Sequence, residues 1–250
     1  MLSFLLQNKT YSQQGKSDAT FNVYDDGLQG DGFDNTVRTV SVQSDSKLIV
    51  GGDYLNFNGT STPYLCRLFQ DGTKDTSFNL GTSFNGKVYC SLLQPDGKIL
   101  LGGAFTSFNG VPANRLIRLN NDGSIDSSFN TQIAASSGIV HSLALQSNGS
   151  IIVAGSFTKY NGVTANRVVR LLPTGSVDTD FAIGLGASGV VEEVQIQPDG
   201  KIVLSGSFDF FNGISNSKII RLNADGSPDL SFTTGAGFNA TVSATRLNSL

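Results

Sequence analysis

A chain of 250 residues with 39% hydrophobic content can fill a core, and 29 glycines against 6 prolines suit tight turns better than disorder. Charged residues make up 15% and the formal charge is −3, which leaves no electrostatic footprint for nucleic acid. No apolar run approaches the ~20 residues of a membrane-spanning helix, so no membrane insertion is expected.

In chain order, Met1-Leu2-Ser3-Phe4-Leu5-Leu6 is apolar but lacks the basic start and full apolar length of a secretory signal, and it reads better as a strand. Asp18-Ala19-Thr20-Phe21-Asn22 matches Asp126-Ser127-Ser128-Phe129-Asn130 far downstream. A repeat then sets in. An aromatic-Asn-Gly triplet recurs at Phe57-Asn58-Gly59, Phe108-Asn109-Gly110, Tyr160-Asn161-Gly162 and Phe211-Asn212-Gly213, with glycine steps of 51, 52 and 51 residues. Arg67, Arg118, Arg170 and Arg221 keep the same beat. So does Asp-x-x-Phe at Asp75/Phe78, Asp126/Phe129, Asp178/Phe181 and Asp229/Phe232. Self-similarity at this period marks a repeat architecture.

The second copy shows the strands. Val88 to Leu93 is β-favourable and ends at Gln94-Pro95-Asp96-Gly97-Lys98. Asp-Gly between two apolar runs predicts a hairpin with a primed turn. Ile99 to Phe105 follows as a strand buried on both faces, its Gly102-Gly103 pair allowing close approach of a neighbouring sheet. The Phe108-Asn109-Gly110 loop leads to Arg115 to Leu119, alternating and expected to be half exposed. A second Asp-Gly hairpin opens a fourth strand from Ser124 to Phe129. Aromatic columns at Tyr54, Phe105, Phe157, Phe208 and at Phe78, Phe129, Phe181, Phe232 would fill the wedges between copies. At the far end, residues 237–242 match 83–88, so the C-terminus supplies an inner strand. The expected fold is therefore all-β, a five-bladed β-propeller forming a single domain over 1–250. Full blades occupy 33–78, 84–129, 136–181 and 187–232. Residues 1–22 and 237–250 close a composite fifth blade, with Met1 to Gln7 a candidate for its missing strand.

The combined pattern Gln-Pro-Asp-Gly-Lys-Ile, Phe-Asn-Gly, Arg-Leu-Asn-x-Asp-Gly-Ser-x-Asp-x-Ser-Phe resembles the delta-60 β-propeller repeat. That family occurs in large bacterial surface or secreted proteins and in phage proteins. The resemblance implies a propeller and carries no agreed catalytic residues.

Chemistry copied into every repeat reads as scaffold, and columns that vary are where a specific site would lie. One varying column is Arg38, Tyr89, His141 and Glu192, and the next ends in Glu193. His141 beside two glutamates lacks a second oriented partner for acid–base work, so these residues are candidate interaction residues, not catalytic ones. The ring residues Phe57, Phe108, Tyr160 and Phe211 are further candidates if exposed, for sugars or a partner, and loop anchors if packed. Asp-Gly-Ser-x-Asp at Asp122 and Asp225 falls short of a calcium loop, and Asp turning onto its own backbone is the better reading. Cys66 stands in an apolar column and reads as a small buried hydrophobe.

These readings give a chain that is not an enzyme, with no cofactor and no metal. It would act as a structural or interaction propeller. Low charge, no signal peptide and few Met, His or Trp resemble a phage virion component of tail, baseplate or capsid. Its partners would be other structural proteins or itself, with cell-surface glycan as a further candidate. The alternative is a bacterial secreted or surface-exposed module that binds glycan or protein.

Overall fold

The computed structural model describes Phe21 and residues 32–130 and 137–246. Its strands repeat in sets of five. The first set is β1 (Val37–Val42), β2 (Leu48–Gly52), β3 (Asn56–Phe57), β4 (Thr60–Ser61) and β5 (Leu65–Leu68). The second is β6 (Val88–Leu93), β7 (Ile99–Gly103), β8 (Ser107–Phe108), β9 (Val111–Pro112) and β10 (Leu116–Leu119). The third is β11 (Val140–Leu145), β12 (Ile151–Gly155), β13 (Lys159–Tyr160), β14 (Val163–Thr164) and β15 (Val168–Leu171). The fourth is β16 (Val191–Ile196), β17 (Ile202–Gly206), β18 (Phe210–Phe211), β19 (Ile214–Ser215) and β20 (Ile219–Leu222). No helix occurs among the described residues.

In each set the first, second and fifth strands form an antiparallel sheet, while the two short strands between them form a ribbon. The expected fourth long strand shrinks to one bridge, such as Leu119 with Ile125. The chain turns away there because Asp126 Oδ1 accepts from both the amide (3.0 Å) and the hydroxyl (2.6 Å) of Ser128, closing a local turn in place of a ladder. The strand expected to be half exposed is also corrected: β10 is buried along its whole length, because the following sheet covers it.

The Asp-Gly hairpins form with a different turn from the one expected. Only the glycine of each pair takes positive φ, 82° at Gly97. The Gly97 amide donates to Gln94 O at 2.9 Å and the Gln94 amide to Lys98 O at 2.9 Å. This is a type I turn closed by a left-handed glycine, the three-residue hairpin loop. The two-residue primed turn belongs to Asn-Gly: Asn109 and Gly110 have φ of 50° and 75° between the paired Phe108 and Val111. What reads as a loop in sequence is thus a tight ribbon.

The sheets pack in chain order, with β1 against β6, β6 against β11 and β11 against β16. The glycine columns set the spacing: a Cβ at Gly102 would lie 2.5 Å from Val140 Cγ1 of the next sheet. Each apolar cluster mixes two repeats. Ile49, Leu65 and Phe78 pack with the second repeat, and Leu100, Leu116 and Phe129 with the third. Tyr54, Phe105, Phe157 and Phe208 are fully buried in these wedges.

A polar staple runs alongside. Arg118 Nε donates to Asp126 Oδ2 at 2.7 Å, and its Nη1 reaches Pro173 O of the next repeat at 2.9 Å. The guanidinium lies 4.3 Å from the ring centre of Phe129. Arg67 and Arg170 make the same reach, to Asn121 O and Ala224 O. The Asp-Gly-Ser-x-Asp carboxylates are occupied, Asp122 by the amide and hydroxyl of Ser124 and Asp126 by Ser128, Arg118 and Lys98.

Residues 1–20 and 247–250, on which much of the composite blade rests, lie outside the described residues. Residues 237–246, where an inner strand is expected, carry none; Phe238 N to Ser217 O (3.2 Å) and Val242 N to Gly206 O (3.1 Å) are the backbone bonds that tie them to the fourth repeat among the described residues.

Candidate functional site

The first strand of every sheet contains a one-residue bulge. Val88 pairs with Gly103 and Cys90 with Gly102, so Tyr89 between them has no partner across the ladder. The same skip leaves out Arg38, His141 and Glu192. A bulge bends the strand and re-aims the extra side chain. The column that varies between repeats is therefore the one the backbone lifts out of the ladder. The cause is visible in the partner strand. A Cβ at Gly52, Gly103, Gly155 or Gly206 would collide with the carbonyl oxygen of Thr36, Lys87, Ile139 or Val190, so glycine permits the chain to double up here. We expect Gly103→Ala to lower the unfolding free energy by about 1–3 kcal/mol, measured by urea melts, with exposed Thr60→Ala within about 0.5 kcal/mol of wild type.

The four raised side chains touch in series. The Arg38 guanidinium sits 4.3 Å from the centre of the Tyr89 ring. Tyr89 meets His141 edge-on at 5.4 Å between centroids. His141 Nδ1 is 2.9 Å from Glu192 Oε2. Burial pushes the His141 imidazole below its ordinary 6.5, with Glu192 opposing and Arg38 adding to the fall. Arg38 is held in turn by Asp53, through Nε at 2.5 Å and Nη2 at 2.7 Å, and Lys87 Nζ joins the same carboxylate at 2.8 Å. The Arg38 hydrogen bond brings Asp53 down to about 2, burial opposing and Lys87 assisting.

Behind this row lies a second. Glu193 Oε1 accepts from Gln195 Nε2 at 2.8 Å and from Ser142 Oγ at 3.3 Å. Burial raises its carboxyl against those two bonds. Thr39, Ser41 and Ser91 share hydroxyl bonds of 2.7–2.8 Å across the first two sheets. The row thus runs from cationic at Arg38 and Lys87 to acidic at Glu192 and Glu193.

The structure brings Arg38, Tyr89, His141, Glu192 and Glu193 together. It separates them from Phe57, Phe108, Tyr160 and Phe211, which are 0–4% exposed. An exposed aromatic ring for sugar stacking is therefore corrected: each side chain is packed under its Asn-Gly ribbon. Asp53 and Lys87 are additions that the sequence pattern left unmarked, since partner choice across the bulge depends on sheet geometry. A further column, Tyr64, Arg115, Arg167 and Lys218, holds positive φ of 66–78° in every repeat. The Arg115 and Arg167 side chains fold back onto Ala104 O and Ser156 O, and no sequence signal marks that conformation.

The chain matches the family described as a domain of unknown function (DUF5122) β-propeller at residues 43–78, 94–129, 146–181 and 197–232, together more than half of its length. It belongs to the DUF5122 β-propeller family. Each matched stretch runs from the first hairpin turn to the Asp-x-x-Phe aromatic, so the family signature is the scaffold and leaves out the bulge row.

No curated protein matches the chain. Among solved structures, this DUF5122 propeller is similar to the WD40 β-propeller domain of Doa1, at 14% identity and TM-score 0.48, covering 75% of this chain and 50% of that one. It is similar to PorZ, a bacterial surface component of the type-IX secretion system of Porphyromonas gingivalis, at 11% identity and TM-score 0.48, covering 80% and 27%. It is also similar to a gluconolactonase from Xanthomonas campestris, at 13% identity and TM-score 0.48, covering 77% and 60%. The chain spans between 22% and 65% of the length of solved chains it matches.

Two expectations change with these findings. The exclusion of enzymatic function falls, because a gluconolactonase stands among the similar folds and the propeller scaffold is no ground for excluding catalysis. The virion reading finds no support in these comparisons.

Proposed function

We propose that this DUF5122 propeller is a surface-exposed or secreted module of a bacterium that binds a glycan or protein partner through its bulge row. One observation carries the reading. A repeated backbone device, the glycine-permitted bulge, displays side chains that differ in every repeat, in a fold whose turn, arginine and wedge-aromatic columns are copied. Scaffold chemistry is uniform around the sheets, so a feature that is uniformly placed and individually varied is suited to one specific contact. The surface relative agrees in location, as analogy.

The reading includes five blades. The turn at 234–238 supports it, because it repeats the turn at 183–187. Gly237 N donates to Thr234 O at 3.0 Å as Gly186 N does to Ile183 O at 2.9 Å. Phe238 N meets Ser217 O as Ala187 N meets Asn166 O, both at 3.2 Å. A fifth repeat therefore starts in register.

The test is a titration of labelled protein onto intact bacterial cells and onto their purified surface polysaccharide. His141→Ala and Glu192→Gln should weaken saturable binding by at least about tenfold, or 1.4 kcal/mol. Asp199→Asn, in a hairpin at the other end of the strands, should leave it unchanged. Binding that is equal in all variants would refute the bulge row as the contact.

A further inference from the structure

One crevice carries a side-chain pair that its counterparts lack. It lies beside the junction of the first and second repeats, with Thr62, Pro63, Lys74, Asp75, Phe78 and Leu80 in its lining. Its volume of about 370 Å³ falls in the range of about 300–1,000 Å³ typical of small-molecule sites. The Lys74 column continues as Ile125, Val177 and Pro228, and all four bridge back to the preceding strand alike, Lys74 to Leu68 and Ile125 to Leu119. Ile125 and Val177 pack against the core. The Thr62 column continues as Ala113, Ala165 and Asn216. The second repeat has a crevice in the same columns, with Ile125, Ser127 and Phe129 where the first has Lys74, Thr76 and Phe78. The backbone is thus copied, and only the first repeat sets an ammonium against a hydroxyl on it.

That ammonium is left with donors to spare. Lys74 Nζ donates to Thr62 Oγ1 at 2.7 Å, and the hydroxyl donates in turn to Thr60 O at 3.0 Å. An ammonium has three donors, and Thr62 is the one hydrogen-bond partner of Lys74 Nζ among the described residues. The carboxylate in the same lining does not serve it. Asp75 Oδ2 takes Arg67 at 2.8 Å and Lys47 at 3.3 Å, while Oδ1 takes the amide and hydroxyl of Ser77. A half-buried cation with idle donors in a cavity favours an anion that replaces the water there. One ammonium suits a carboxylate better than a phosphate dianion, which calls for several donors. Ser61, Thr76 and Asn79 put exposed polar groups on the rim, and Pro63, Leu65 and Leu80 add apolar surface. Hydroxyl partners beside an apolar wall match a carbohydrate ring.

We propose that this crevice binds a sugar acid, its carboxylate on Lys74 Nζ, its hydroxyls on the rim and its ring C–H groups against the apolar wall. None of the lining residues belongs to the bulge row, so the site stands independently of the contact proposed there.

The test is an NMR titration of the full chain with galacturonate and, in parallel, with galactose. Galacturonate should shift the Thr62, Lys74 and Asn79 amides saturably, and galactose should bind at least about tenfold more weakly. Lys74→Ile and Thr62→Ala install the residues of the second repeat, so both should keep the wild-type urea midpoint. Lys74→Ile should weaken galacturonate binding at least about tenfold, and Thr62→Ala, which leaves the ammonium in place, by less. If Lys74→Ile does not fold, Lys74→Gln removes the charge while keeping a polar stem. Lys159→Gln removes the same charge from an exposed site in the third repeat, and it should bind like wild type, as should His141→Ala. A galacturonate oligomer that binds more tightly than the monomer at the same amides would mark the ligand as part of a polymer, and equal binding would mark it as a free acid; either supports the site. Absent saturation, equal binding of galactose, or equal losses in the Lys74 and Lys159 variants would overturn the proposal. Binding lost in His141→Ala but kept in Lys74→Ile would also overturn it, moving the acid to the bulge row and leaving that reading intact.

Discussion

Asp126→Ala is expected to destabilise the propeller by about 3–5 kcal/mol. The carboxylate is 7% exposed and takes three partners: Arg118 at 2.7 Å, Lys98 at 3.0 Å and the Ser128 turn. Its removal leaves the buried Arg118 charge tied only to neutral acceptors, and loosens the Nη1 bond that joins two repeats. Asp229→Ala provides the scale. Its partner Arg221 has a side chain 21% exposed against 7% for Arg118, so water can solvate the orphaned cation and the loss should be smaller. Equal losses in urea melts would contradict the staple as a buried one.

The same carboxylates set the acid limit. Burial alone would raise Asp75, yet bonds from Ser77 and the Arg67 guanidinium bring it from 3.8 down to about 2. A carboxyl whose folded value is depressed contributes stability above its unfolded value, and that contribution is lost as pH falls toward the folded one. The urea midpoint should therefore hold level above about pH 5 and fall between about pH 4 and pH 2. In Asp75→Asn the fall should be shallower.

Phe108→Ala is the second large effect, at about 3–5 kcal/mol. The ring is fully buried and lies 4.7 Å from Phe84, which in turn lies 4.5 Å from Phe105. Truncation opens a cavity under the ribbon in a place where the backbone cannot collapse, because Asn109 and Gly110 already commit it to a two-residue turn. Val111→Ala, 48% exposed on the same ribbon, should stay within about 0.5 kcal/mol of wild type. If Phe108→Ala bound cell-surface polysaccharide less well while melting like wild type, the packed reading of this column would fail and the exposed aromatic ring would return.

Much of the architecture was legible in the residues because it is periodic. Four copies of Asn-Gly, Arg and Asp-x-x-Phe, with Asp-Gly at most of the hairpins between them, place turns and wedge aromatics at equal spacing, and turn chemistry is a local property that a few residues settle. The exceptions have a common cause. The fourth strand became a turn because Asp126 found a closer acceptor role with Ser128 than the ladder could offer. The strand read as half exposed was buried because the covering surface comes from another repeat. The bulge that lifts Arg38, Tyr89, His141 and Glu192 depends on glycines in a different strand meeting carbonyl oxygens across the ladder. A varied column could be recognised from the sequence, but its alignment into one touching row, with Asp53 and Lys87 at its cationic end, required neighbouring sheets to be set against each other. Short-range hydrogen bonding is written in adjacent residues, whereas packing between sheets is a matter of distance between residues some fifty apart.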